Sequence, residues 1–171
     1  MKSLTKTELG SLLAVARRHS EADHLMLLVA YNHGLRVSEV LSLTKENIQD
    51  GALVIQRLKG SKKTTQTLLP SELDGLEALA KTDGLFFPIC RMTAHRRIKA
   101  YAKEAGIASY KAHMHCLKHT TAMQALDGGM KINELQNYLG HVSGNSTLMY
   151  LKVSDETASK AFAAAVGRTT V

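Results

Sequence analysis

Apolar residues recur at helical spacing along most of the chain. In "TKTELGSLLAVARRHS", Leu9, Leu12, Leu13 and Ala16 share one face, and Thr5 and Glu8 stand at capping-box spacing ahead of them, which predicts a first helix. "SEADHLMLLVAYNHG" is strongly apolar and predicts a central helix from near Ser20 to Gly34, a residue suited to a helix end. "RVSEVLSL" follows at once as a third, short helix. The period then changes. "GALVIQRLKGSKKTTQTLLP" holds a β-rich run, a basic glycine-containing turn and a second extended run ending at Pro70, the pattern of a β-hairpin with a long loop. Helical spacing returns in "SELDGLEALAKT", in "MTAHRRIKAYAKEAG", in "HTTAMQALDGG" and in "KINELQNYLGH", where Ile132, Leu135, Tyr138 and Leu139 share a face. "STLMYLKV" fits neither period well, and "SDETASKAFAAAVG" predicts a well-capped closing helix. The expectation is one mainly α domain, residues 1–171, with a small antiparallel β-sheet.

Composition narrows the partners. Aromatic residues make up 5% with no Trp, so the predicted core is Leu, Ala, Val and Ile. Lys and Arg outnumber Asp and Glu by 22 to 15, a formal +7, which suits a polyanion such as nucleic acid or an anionic membrane surface. Charge alone fits a merely basic protein equally well. Cys90 and Cys116 form no CxxC pair and no disulfide framework, so a reducing cytosol is expected. The first residues lack a secretory pattern, and "HLMLLVAY" is too short to span a bilayer. The expectation is a cytoplasmic protein with no membrane partner.

Several polar residues stand where packing alone gives no reason for them. "HMHCLKHTT" puts His113, His115, Cys116, Lys118 and His119 at a predicted helix start. Helix N-termini favour anions through their N–H groups and dipole. Arg36 follows Gly34-Leu35 at a helix junction, with Glu39 three residues on as an acceptor for it. Lys59, Lys62 and Lys63 crowd the hairpin turn, His141 follows Gly140, and Tyr150 lies nine residues beyond His141. A metal reading competes: His113, His115, Cys116 and His119 offer ligands, but no His-Glu-x-x-His is present and no carboxylate lies close. No metal or other cofactor is expected.

Taken in order, "GLRVSEVLSL", the lysine hairpin, "HCLKHTTAMQAL" and "LGHVSGNSTLMY" resemble the catalytic domain of the tyrosine recombinases, the phage-integrase family. The likeness runs from about residue 20 to about residue 165, and the Leu-Gly-His to Tyr spacing with the Gly-Leu-Arg box carries it. It implies a site-specific DNA recombinase or integrase that cuts and rejoins a strand through a 3′-phosphotyrosine, without ATP or metal. Arg36 then matches the arginine that clamps the phosphate oxygens. Glu39 matches the acidic residue that supports the site. His115 matches a hydrogen-bonding and general-base position, and His141 a donor to the phosphate. Tyr150 matches the nucleophile. The hairpin lysine protonates the 5′-oxygen; the count along the incoming strand favours Lys59, and the count back from Pro70 favours Lys62. The implied partners are double-stranded DNA and further copies of the chain in a tetrameric synapse. The implied origin is a bacterium, a phage or a mobile element.

The chain departs from the family pattern at one catalytic position. The family's His-x-x-Arg is here His115-Cys-Leu-Lys118. Lysine keeps the charge and loses the bidentate fork, so a reduced activity is expected, and an arginine at 118 would restore the fork. The predicted central helix begins near Ser20, so the N-terminal DNA-gripping domain of family members is expected to be absent and DNA binding to be weak and salt-dependent. The closing segment, residues 154–171, is expected as a tail helix that docks on a neighbouring protomer. Two alternatives remain open: a non-catalytic or weakened DNA-binding module of the same fold, and a DNA-relaxing enzyme of the type IB topoisomerase kind.

Overall fold

A computed structural model of the chain describes residues 3–57, 62–80 and 84–141. Its described helices are α1 (Lys6–His19), α2 (Glu21–Asn32), α3 (Val37–Leu41), α4 (Pro70–Leu79), α5 (Arg91–Glu104), α6 (Met114–Asp127) and α7 (Ile132–Tyr138). One antiparallel sheet, in the order β1 (Ile48–Gln49), β2 (Ala52–Ile55) and β3 (Thr64–Thr67), stands between α3 and α4.

The termini of these elements have local causes. The Thr5 hydroxyl accepts the Glu8 N–H at 3.1 Å while the Glu8 carboxylate accepts the Thr5 N–H at 2.8 Å, so the predicted capping box starts α1. The Ser20 hydroxyl caps α2 through the Asp23 N–H. Pro70 opens α4 as its first residue rather than closing the hairpin strand, because proline lacks only an N–H that a first turn leaves unused. The sequence pattern did not yield β1. It pairs with β2 through a tight turn at Asp50 (φ 49) and Gly51 (φ 73), the doubly positive geometry that matches strand twist. The register of β2 on β3 runs from Ala52 opposite Thr67 to Ile55 opposite Thr64.

α2 is the central element, packed against α1, α4 and α6. Leu25, Met26, Leu27, Val29 and Ala30 are buried on it, which accounts for its apolar character on nearly every side. Replacing one of its buried leucines with alanine costs about 2–5 kcal/mol, depending on how far the site collapses. The core is mostly aliphatic as expected, with Phe86, Phe87 and Tyr101 added. A smaller apolar cluster of Ala122, Leu135 and Leu139 joins α6 to α7. Hydrogen bonds lock this end of the molecule: the Tyr138 hydroxyl donates to the Asn32 carbonyl at 2.7 Å, and the Thr121 hydroxyl donates to the Tyr31 carbonyl. The α2–α3 junction, the start of α6 and the end of α7 thereby converge.

Candidate active site

The site grows from the α2–α3 junction. Gly34 has φ 57, and a Cβ there would lie 2.5 Å from Leu139 Cδ2, so both its backbone and the close approach of α7 require glycine. Two residues on, Arg36 is extended at the start of α3. Glu39 holds it twice: Oε2 accepts the Arg36 backbone N–H at 2.8 Å and Oε1 accepts Nη1 at 2.8 Å. The Glu39 side chain is fully buried, and that of Arg36 is 30% exposed. Burial opposes ionisation of Glu39, but the hydrogen bonds from Arg36 and the charges of Lys118 and Arg57 outweigh it and hold the carboxyl below its ordinary range. Arg36 is thus a cation fixed on one edge by Glu39 and partly exposed to solvent.

Arg57 was not singled out in the sequence, yet it is as enclosed as Glu39, with a side chain 0% exposed. Nε donates to Thr64 Oγ1 at 3.1 Å. Nη1 donates to the Gly34 carbonyl at 3.2 Å and to Glu39 Oε2 at 3.3 Å. Nη2 donates to the carbonyls of His33 at 3.0 Å and Tyr138 at 3.1 Å. All five N–H donors of the guanidinium therefore have acceptors. The period-2 pattern of Leu53, Ile55 and Arg57, which continues inward past the end of β2, was the available signal.

α6 resolves the histidine-rich stretch into separate roles. His113 precedes the helix, and its Nδ1 accepts the Cys116 N–H at 3.0 Å as an N-cap. Cys116 is buried in the core. His115 is exposed and meets the half-buried His119 edge-on, with ring centroids 4.4 Å apart. Among the described residues no group of three or more His, Cys, Asp or Glu is arranged to hold a metal ion. Lys118 points the other way, is 2% exposed, and donates from Nζ to the Gly34 carbonyl at 2.9 Å. Burial, with the repulsion of Arg57 and Arg36, brings its ammonium from an ordinary lysine value down to about 7, although Glu39 pulls the other way. Partial desolvation of the ring, although the residue reaches the surface, and the charge of Lys118 also lower the His115 imidazole.

The Leu-Gly-His turn closes the site. Gly140 has φ 68, and a Cβ there would lie 2.8 Å from the Lys62 carbonyl and 2.9 Å from Arg57 Cγ. The Lys62 N–H donates to the Gly140 carbonyl at 3.1 Å, which ties the far side of the hairpin to this turn. Lys62 itself is exposed. His141 is 8% exposed, and burial with the nearby Lys118, Arg36 and Arg57 charges lowers its imidazole to about 4. Of the residues proposed from the sequence, Arg36, Glu39, Lys118 and His141 come together, with His115 at their edge. Lys59, Tyr150 and the segment 154–171 lie outside the described residues.

An arrangement of one buried carboxylate, two arginines, a lysine and a neutral imidazole has the chemistry to receive an anion. Arg36 supplies donors toward solvent, and the carboxylate keeps them in place. The sequence model of the phage integrase family matches residues 2–157, and the chain belongs to that family. The tyrosine recombinase XerA of Pyrococcus furiosus is 33% identical over 168 residues, covering 90% of this chain and 58% of that protein. The chain thus spans about three fifths of the length of the curated relatives it first matches, as with the 61% covered of XerA from Thermococcus onnurineus. The fold matches the catalytic domain of bacteriophage HP1 integrase with a TM-score of 0.73 at 22% identity, covering 99% of both chains. It matches the XerH recombinase bound to its difH substrate with a TM-score of 0.81 at 19% identity, covering 98% of this chain and 55% of that one.

Proposed function

We propose that this chain is the catalytic domain of a site-specific tyrosine recombinase that cuts and rejoins double-stranded DNA. The observation that carries the reading is the convergence of Arg36, Lys118 and His141 on the buried Glu39–Arg57 pair, with the Arg36 guanidinium partly open to solvent. Charge that localises on the phosphate oxygens as a nucleophile adds would be met by donors already in place. Arg36 takes non-bridging oxygens, and His141 donates a hydrogen bond once the phosphate has offset the surrounding positive charge. His115, exposed beside them, serves as the proton-relay candidate. The Tyr150 oxygen attacks phosphorus, and the 5′-oxygen leaves with a proton from Lys59 or, failing that, Lys62. Attack by a 5′-hydroxyl then reverses the step and expels the tyrosine. Four copies of the chain on two DNA sites form the working assembly, with residues 154–171 bridging neighbours.

The test is a suicide duplex drawn from a randomised pool and nicked just beyond the scissile phosphate, so that the short fragment carrying the freed 5′-hydroxyl diffuses away after cleavage. The reading expects a protein–DNA adduct that survives detergent and forms without added metal. Binding without any adduct, across substrates and pH, favours a non-catalytic DNA-binding module. Relaxation of supercoiled DNA with no joining of separate duplexes favours a topoisomerase.

A further inference from the structure

Two features of the site are unusual side by side. One is a lysine at 118, where the family pattern has an arginine. The other is a fully enclosed arginine at 57, whose donors all end on protein acceptors. The two share an acceptor: the Gly34 carbonyl takes Arg57 Nη1 at 3.2 Å and Lys118 Nζ at 2.9 Å. We propose that Arg57 is a positioning residue of the phosphate site and forms a matched pair with Lys118, its guanidinium occupying the interior that a larger cation at 118 would need. This deepens the recombinase reading and rests on it for the identity of the anion.

The geometry gives Arg57 its role. Its acceptors come from the end of α2, from the α2–α3 junction, from α3, from β3 and from the end of α7. One planar group thus fixes the relation of Glu39, and with it Arg36, to the turn that presents His141. The stem is held as well, because Gly140 packs directly on Cγ. No N–H is left over for a phosphate, so Arg57 acts through other residues and does not touch substrate. Lys118 is among the largest fully buried side chains. An arginine there would bring a second guanidinium against the first, with Glu39 the carboxylate that already serves Arg36 and Arg57. The ammonium has one advantage in that place, since it can shed its proton while no anion is bound, and a guanidinium cannot.

The groups that act on Lys118, or on which it acts, lie on several elements: Arg36 just before α3 and Glu39 on it, Arg57 after β2, His115 and His119 of α6, and His141 after α7. With the imidazoles neutral and Lys118 unprotonated their sum is a single positive charge, so an arriving anion favours the protonated form of Lys118. Phosphate engagement is therefore coupled to proton uptake at this one side chain.

The experiment uses the full chain with carbon-13-labelled lysine, and Lys118→Met assigns the resonance. In the wild-type protein Lys118 should titrate near the value of about 7 set by its surroundings. In Arg57→Met it should titrate higher by about one pH unit or more, roughly a tenfold change in proton affinity. An unchanged titration overturns the pair. Thermal unfolding supplies a second reading: Lys118→Arg should lower the melting temperature of the wild type clearly and that of Arg57→Met much less, whereas equal effects in both backgrounds overturn the proposal. If Arg57→Met does not fold, the native background decides alone. There Lys118→Arg should be less stable than Lys118→Met, and an arginine variant as stable as the wild type refutes the matched pair. Inorganic phosphate is a separate arm for the function. A Lys118 titration that phosphate fails to raise counts against the phosphate site, while the pair is judged on the Arg57→Met titration.

Discussion

Glu39→Gln tests the electrostatic logic of the site in a single change. The amide keeps the shape of the carboxylate and removes its charge. One of its two terminal atoms becomes a donor, where both Glu39 oxygens now accept from Arg36 and Arg57. Removing one partner from a buried charge network typically costs about 3–5 kcal/mol. The cost should depend on pH, and the sign follows from Lys118. Its folded value of about 7 lies well below an ordinary lysine value, so burying the ammonium opposes folding below pH 7. That opposition is relieved as pH rises from about 7 toward the ordinary value near 10. Glu39 raises the Lys118 value, so in Glu39→Gln it falls further. At pH 9 Lys118 is neutral in both folded proteins and contributes nothing to the difference. At pH 6 it is mostly charged in the wild type and about half charged in a variant shifted down by roughly one unit, which adds about 1 kcal/mol. Urea unfolding of both proteins at pH 6 and pH 9 measures this. A cost below about 1 kcal/mol, or one equal at the two pH values, would refute the reasoning.

Three further outcomes are expected. Gly140→Ala forces a Cβ to within 3 Å of the Lys62 carbonyl and Arg57 Cγ at φ 68, so it should destabilise by more than about 1 kcal/mol in chemical denaturation and loosen the turn that carries His141. The buried His141 imidazole, lowered to about 4, favours folding above its ordinary value near 6.5. That contribution, on the order of 1–3 kcal/mol, should fade as pH falls from about 6.5 to 4, and His141→Asn should flatten this limb of the stability profile. Lys59→Ala should slow cleavage of ordinary DNA much more than cleavage of DNA with a 5′-thio leaving group, which needs little protonation; if Lys62→Ala shows that pattern instead, the general acid is Lys62.

Most of the helices were legible because their cause is local. The 3.6-residue period marks α1, α2, α5 and α7, and the Thr5–Glu8 box gives the start of α1 its own signature. β1 was missed because two residues carry no period, although Asp50-Gly51 is a turn signal that points to it. Pro70 was read as a terminator and is an initiator. Arg36, Glu39, Lys118 and His141 were found through the family pattern, which encodes their meeting without showing how they meet. Arg57 escaped because a buried cation makes sense only once its acceptors are known, and those lie as far as 81 residues away, at Tyr138. The burial of Lys118 was hidden for the same reason: its partner carbonyl, Gly34, is 84 residues distant. His113 was weighed in the sequence as a metal ligand and is a helix cap.

Covalent chemistry at a single tyrosine can be read from the peptide that a trapped adduct carries. The protein is incubated with the suicide duplex, the complex is digested with protease and nuclease, and the modified peptide is sequenced by mass spectrometry. A nucleotide joined through its 3′-phosphate to Tyr150 is expected, with no adduct in Tyr150→Phe. A nucleotide on any other residue, or an adduct that persists in Tyr150→Phe, would contradict it.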